Sequence, residues 1–322
     1  RVDSLTDMVA YFAMPDDRTI ESQQAHYAFA MASQLNKTTE LSLTHQVDPA
    51  QLYSGLRSLP GHESYGKASF LSGQSFGSVL TGFSIDANTL GLNYHNESQS
   101  GWNAGLGLVS IDENTRFGKE SFSTIMEGGY EFADNAGLKL QFGQIQEQGT
   151  LFGGAAGGIF GVDTATTYAL NITGHLTLGE RFTIVGNYGV GRTRVAAAAE
   201  SLLSEFSSLE SDWYSLGVIG NNVFSRSDQL GFSLSQPLKI RSGALDYSIP
   251  VARDQFGDIA FDTERINLGA SDGTETRVEM YYRSQVSDVL ELGSFLSFRD
   301  NPNHVRSEPD ELVVMLTLRY TP

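Results

Sequence analysis

Gly73-Gln74-Ser75-Phe76-Gly77 has the Gly-x-Ser-x-Gly spacing of a nucleophile elbow, in which a strand, a sharp turn and a helix hold a serine hydroxyl beside a histidine. Residues 79–94 read as strand rather than helix, so Ser75 is expected in a Gly/Ser loop or strand end. His95 and His175, the bases a hydrolytic barrel would need, are expected instead as polar side chains of a wet interior. Residues 153–161 are glycine-rich, but Val162-Asp163-Thr164 follows where a phosphate-binding loop requires Lys-Ser/Thr and a helix. The six histidines are scattered, and no His or acidic cluster has metal-ligand spacing. No catalytic, cofactor or metal residue is therefore assigned, and the chain is not expected to be an enzyme. What does recur is charge at alternate positions: Glu127, Glu131, Lys139, Arg181, Arg277, Glu279, Arg283, Glu291 and Arg299. These are expected to face a lumen, where they would line a conduction path, grip an internal segment, or simply be tolerated by water.

The elements that would hold those charges are strands, because side chains on a strand alternate between its faces. Leu41 and Leu43 alternate with Ser42 and Thr44. One face then carries Leu90, Leu92 and Tyr94; Trp102, Ala104, Leu106 and Leu108; Phe122, Met126, Tyr130 and Phe132; Leu138, Leu140 and Phe142; Tyr168, Leu170, Ile172 and Leu176. The pattern continues through Phe182, Ile184 and Tyr188; Leu230, Phe232 and Leu234; Leu245, Tyr247 and Ile249; Val278, Met280 and Tyr282; and Leu290, Leu292, Leu296 and Phe298. A soluble sandwich alternates too, so the connections carry more weight. Tight turns at Ala133-Asp134-Asn135, Leu178-Gly179-Glu180, Ser225-Arg226-Ser227 and Gln285-Val286-Ser287 interleave with long connections at 112–120, 147–163, 196–210 and 300–310. Short turns at one end and long loops at the other are the asymmetry of an outer-membrane barrel. From Leu41 onward about fourteen strands can be marked, or about twelve if 243–251 and 258–268 form an extracellular hairpin; both counts are even.

Composition is compatible with this. The chain of 322 residues has 34 Gly, 13 Tyr, 19 Phe, no Cys and a formal charge of −17, with mean hydropathy −0.19. It contains no apolar run of roughly twenty residues for a helical span, a test that a β-barrel escapes because only alternate residues meet lipid. The acidic balance leaves no basic stripe for nucleic acid. A chain beginning Arg1-Val2-Asp3 with no signal peptide is expected to be a processed or excised fragment.

Residues 1–37 read differently. Ile20, Gln24, Tyr27, Met31 and Leu35 recur at helical spacing, Asp16 or Asp17 can cap, and Ala25, Ala28, Ala30 and Ala32 keep the segment slim. One helix is expected over 17–35, inside a linker or plug segment 1–37 that precedes a transmembrane barrel over 38–322. The pore is the favoured place for it, since Tyr27, Met31 and Leu35 need cover while Arg18 and Glu21 could pair with inward charges.

Several loop motifs occur in a specific order: Gln146-Glu147-Gln148-Gly149-Thr150-Leu151-Phe152-Gly153-Gly154, Gly157-Gly158-Ile159-Phe160-Gly161, Thr167-Tyr168 and Asn187-Tyr188-Gly189-Val190-Gly191-Arg192-Thr193. They are followed by Leu234-Ser235-Gln236-Pro237-Leu238-Lys239-Ile240, Tyr247-Ser248-Ile249-Pro250 and Phe298-Arg299-Asp300-Asn301-Pro302-Asn303-His304. This order resembles the carboxy-terminal barrel domain of subtilisin-like serine protease autotransporters, over roughly residue 90 to the end. The resemblance implies an all-β, antiparallel outer-membrane barrel with a helix in its lumen. Such a domain anchors and helps export an upstream passenger, covalently linked or cleaved. The protease half's Asp, His-Gly-Thr and Gly-Thr-Ser contexts are absent from these residues. A stand-alone porin-like channel or structural barrel is the alternative. The final stretch fits either: Leu312, Val314, Leu316, Leu318 and Tyr320 share one face, the pattern that barrel assembly machinery reads on its clients, although Pro322 stands where a terminal Phe is usual. The expected surroundings are outer-membrane lipid and that machinery.

Overall fold

In the computed structural model the described residues are 6–11, 28–47, 87–95, 101–111, 121–133, 135–179, 181–253, 255–287 and 289–320. The strands are β1 (Thr6–Tyr11), β2 (Ala28–Asn36), β3 (Thr39–Val47), β4 (Ala87–His95), β5 (Gly101–Ile111), β6 (Ser121–Ala133) and β7 (Ala136–Gln148). Then come β8 (Thr150–Leu151), β9 (Gly154–Ala155), β10 (Val162–Leu178), β11 (Phe182–Ala197), β12 (Leu203–Ser204), β13 (Leu209–Asn221) and β14 (Asp228–Ser242). The last are β15 (Ala244–Arg253), β16 (Ile259–Asn267), β17 (Thr276–Ser287), β18 (Leu290–Asp300) and β19 (Glu311–Tyr320).

Fourteen of these form one antiparallel sheet in the order β1-β2-β3-β4-β5-β6-β7-β10-β11-β13-β14-β17-β18-β19. Each strand pairs with the sheet strands before and after it in sequence, an up-and-down meander; among the described residues no ladder joins β19 to β1. Twelve of the fourteen lie from β3 onward, the smaller of the two expected counts. β15 and β16 leave the sheet as a hairpin, the alternative that gives twelve, and with β12 make a separate three-stranded sheet.

Among the described residues the connections alternate between the two ends. At one end are Lys37-Thr38, residues 134–135, 179–181, 222–227 and 288–289; at the other are residues 149–161, 198–208, 243–275 and 301–310. The turn at 222–227 shows how the short end is fixed: the buried Asp228 carboxylate accepts the N–H groups of Val223, Phe224 and Ser225 at 2.6, 2.8 and 2.8 Å. Gly179 supplies the positive φ of 65° that the turn from β10 to β11 requires.

The expected lumen helix over 17–35 is overturned where it can be checked. Residues 28–36 are strand β2, paired with β3 through Met31↔Leu43 and Ala32↔Ser42, and the ladder runs across the expected boundary after residue 37. The physical reason lies in the spacing. A separation of four residues, as between Met31 and Leu35, returns to the same face of a helix and also of a strand. The small residues that would slim a helix serve equally opposite Ser42. The remainder of the expected helix, residues 17–27, lies outside the described residues.

Candidate functional site

The sheet has one face that is apolar and exposed and one that is polar and buried, the reverse of a water-soluble sandwich. In β10, Leu170 and Ile172 are exposed while Asn171 and Thr173 between them are buried. The same holds for Leu138, Leu140 and Phe142 against Lys139 and Gln141 in β7. Trp102, Tyr130 and Phe132 stack edge to face on the outer side near the short-turn end, with ring centroids 4.9 and 5.3 Å apart, as an interfacial aromatic girdle requires.

The inner face is the candidate site. Hydroxyls pair across strands there: Thr44 with Thr89, Thr167 with Thr193 at 2.8 Å, and Ser215 with Asn187 at 2.9 Å. Its large aromatics lie flat on glycines. A Cβ on Gly189 would sit 2.1 Å from the Trp213 ring, and one on Gly231 would sit 1.9 Å from the Tyr281 ring. Only glycine at those two positions lets the rings hug the wall. Tyr281 is also tied down by its hydroxyl, which donates to Gln229 Oε1 at 2.9 Å.

Charged side chains on this face gather into three groups. On β6, β7 and β10, Lys139 Nζ is 3.3 Å from Glu127 Oε1, Gln141 donates to Glu127 Oε2 at 3.1 Å, and Asn171 donates to Gln141 at 3.0 Å. His175 Nε2 lies 3.2 Å from Glu131 Oε2, out of line for a hydrogen bond. Near the short-turn end Arg283 and Glu291 approach only to 3.9 Å, so their attraction is weak.

The third group closes the long-loop end. Glu275, in the loop before β17, is 2% exposed. Its carboxylate accepts Arg277 Nη2 at 3.0 Å, Arg299 Nε and Nη2 at 2.8 and 3.1 Å, and the N–H of Asn303 at 2.8 Å. Burial alone would raise its pKa, but the donors from Arg299, Arg277 and Asn303 outweigh burial and hold it at about 2. Arg299 continues to Glu311 of β19 at 2.6 Å, and Glu279 takes Ser233 Oγ at 3.4 Å. Beside this group His304 Nδ1 accepts the N–H of Glu275 at 2.9 Å, which leaves Nε2–H to donate to Leu238 O at 2.9 Å. Burial lowers the His304 pKa, because the charged imidazolium is the form that loss of hydration disfavours. Lys239 completes the clasp by donating to Gly273 O at 2.7 Å and Thr274 Oγ1 at 2.6 Å.

Of the nine charges expected in the lumen, eight stand on inner strand positions. Arg181 does not: it lies exposed in the turn between β10 and β11, because the alternation was extended past the strand's end. Lys239, Glu275 and His304 were not singled out for the inner wall or its rim. Gln141 and Asn171 alternate with leucines and were legible; Glu275 and His304 are joined only through loops distant in sequence. Ser75 lies outside the described residues, as does the side chain of His95.

No protein-family model matches the chain, and no curated protein matches its sequence. Solved structures do resemble it. In-vitro folded OmpT, an outer membrane protein of Vibrio cholerae, superposes with a TM-score of 0.51 at 10% identity, covering 98% of this chain and 95% of that one. Its trimer form gives 0.50 at 11% identity over 98% and 96%. A loop L8 deletion mutant of the same protein gives 0.50 at 10% identity over 91% and 90%. The chain therefore has the fold of an outer-membrane β-barrel, with its apolar band on the outside and its charges on the inside.

Proposed function

We propose that the chain is a porin-like diffusion channel of the outer membrane, without catalytic activity. The observation that carries this reading is the inner wall of hydroxyls, amides and paired charges, with its aromatics flattened onto Gly189 and Gly231. Barrels of about 8 strands are filled by side chains, whereas those of about 16–18 leave an aqueous channel. A wall of fourteen strands lies nearer the second group. On this reading the short turns and both described sheet ends face the periplasm, and the long loops face outward. β1 and β2 then belong to the barrel, so that it replaces the division into a linker 1–37 and a barrel 38–322. The apolar outer band meets lipid. β19, with Leu312, Val314, Leu316, Leu318 and Tyr320 all strongly exposed, is the strand offered to the assembly machinery. Planar-bilayer recording of the purified chain tests the reading: stepwise salt conductance is expected, and a folded but silent protein overturns it.

The second reading is the autotransporter translocator, favoured by the order of the motifs from Gln146 to His304. It requires a passenger and an N-terminal segment threaded through the pore. Deleting residues 1–36 separates the two. A translocator would keep its barrel and conduct more, whereas a barrel that includes β1 and β2 would fail to fold.

A further inference from the structure

The hairpin of β15 and β16 stands at the long-loop end, outside the large sheet. It is held there at several points. Ser248 N–H donates to Leu202 O at 2.9 Å, Ala244 N–H donates to Ser207 Oγ at 2.7 Å, and the Tyr247 ring meets Phe160 with centroids 5.9 Å apart. β12 pairs with β15 through Leu203↔Tyr247 and Ser204↔Asp246, whereas β16 pairs with β15 alone among the described residues. All nine residues of β16 are exposed, so its outer edge presents a row of backbone N–H and C=O groups to water.

The side chains along that edge sort by parity. Ile259 and Phe261 point to one face and are 54% and 51% exposed, while Asp262 and Glu264 point to the other. The two arginines of the hairpin do not offset those acids. Arg265 Nη1 donates to Asp246 Oδ1 at 2.6 Å and to Glu205 O at 3.3 Å, and Arg253 Nε donates to Gly257 O at 3.1 Å. Asp262 and Glu264 meet no cation among the described residues. Residues 244–267 hold five acids, Asp246, Asp254, Asp258, Asp262 and Glu264, against those two arginines, a net charge of −3.

A second copy of this chain is a poor occupant of such an edge. Two-fold antiparallel pairing of β16 with itself, centred on residue 262, 263 or 264, sets Asp262 opposite Asp262, Asp262 opposite Glu264, or Glu264 opposite Glu264, and like charges directly opposite repel. The complement is a strand with cations on one face and apolar side chains on the other, whose backbone takes up the open ladder. We propose that β16 is a docking edge for an extended basic peptide in which Lys or Arg alternates with apolar residues, the cations opposite Asp262 and Glu264 and the apolar side chains beside Ile259 and Phe261. The anchored hairpin fixes the edge in advance, so little ordering cost falls on the protein at binding. This surface lies apart from the inner wall, and its binding does not depend on whether the lumen conducts.

The full chain in neutral detergent, titrated with a fluorescein-labelled short peptide of alternating Lys and Val, tests this by anisotropy, with hydrogen exchange read over residues 259–267. Binding should slow exchange across β16. Asp262→Asn/Glu264→Gln should bind about 10-fold more weakly, two opposite-charge cross-strand pairs near the upper end of their usual worth. Glu308→Gln/Asp310→Asn, which removes the same charge from the neighbouring 301–310 loop, should bind as the parent does. Heat-modifiable mobility should persist in both double variants, since all four side chains are exposed. A peptide N-methylated at every residue keeps its charge but cannot donate to a ladder, and should not bind. Equal binding by that peptide or by the Asp262/Glu264 variant, or unchanged exchange over β16, would overturn the proposal. Protection of the β16 amides in the peptide-free chain that is lost on dilution would assign the edge to a second copy and overturn it as well.

Discussion

Two regions of the same strand, β7, obey opposite rules. Toward the short-turn end its outer face is Leu138, Leu140 and Phe142 while its inner face is Lys139 and Gln141; toward the long loops its outer face is Gln144, Gln146 and Gln148 while its inner face holds the buried Ile145, and beyond it Glu147, whose carboxylate accepts the N–H groups of Phe152 and Gly153. β10 and β11 change over at the same level, Tyr168 giving way to Thr166 and Val190 to Arg192. The solvent has changed along the strand. Where the outside is hydrocarbon, apolar side chains go out; where it is water, they turn in, as Ile145 and Leu209 do, and are buried. The level at which Gln144, Tyr168 and Arg192 stand opposite one another therefore marks the upper edge of the bilayer.

The most severe way to break this contrast is to remove part of the wall. Deletion of residues 1–36 should abolish heat-modifiable folding altogether, since it strips β1 and β2 from the sheet. Next in size is a charge placed in the band. Ile172→Arg should cost about 2–4 kcal/mol, the price of an arginine at mid-bilayer, while Asn171→Arg on the inner face should cost well under that. Urea titration in lipid vesicles would compare them, and equal tolerance at the two positions would refute the assignment of faces.

Acid should loosen the rim in two stages. His304 has a lowered folded pKa, so acid begins to favour the opened loops once pH drops below the ordinary histidine value of about 6.5. Glu275, with a folded pKa of about 2, contributes stability that is complete above the ordinary carboxylate range and is lost as pH falls from there toward 2. Protease accessibility of the 269–275 and 301–310 loops should rise along that path. Glu275→Gln should show much of the increase already at pH 7, for a loss on the order of 2–3 kcal/mol. The smallest effect sharpens the picture of the inner wall. Gly231→Ala must push the Tyr281 ring off the sheet and toward the pore, so single-channel conductance should fall while folding survives.

Much of the wall was legible because lipid enforces alternation along most of the band: Leu170 beside Asn171, or Leu140 beside Lys139 and Gln141, can be read from the sequence alone. The hairpin of β15 and β16 was legible only as one of two choices, since Leu245, Tyr247 and Ile249 alternate as a wall strand does. β2 was not, because Met31 and Leu35 satisfy both periodicities and only pairing with β3 decides between them. Nor were the partners of Glu275. Its ligands come from β17, β18 and the 301–306 loop, and sequence distance hides such meetings. Arg181 shows the converse limit, since parity continues on paper after the strand has turned.

The meander has a consequence for how the molecule comes into being. Because every strand of the large sheet lies against its sequence neighbours, each new hairpin can zip onto the edge left by the one before, and most contacts need no distant chain to arrive. Low sequence separation of this kind favours fast folding. The slow steps should then fall at the two long detours: from β3 to β4, and from β14 through the β15–β16 hairpin to β17. A stalled intermediate would expose the edge of β3 or of β14, and pulse-labelling exchange at Thr44 and Ser235 would catch it.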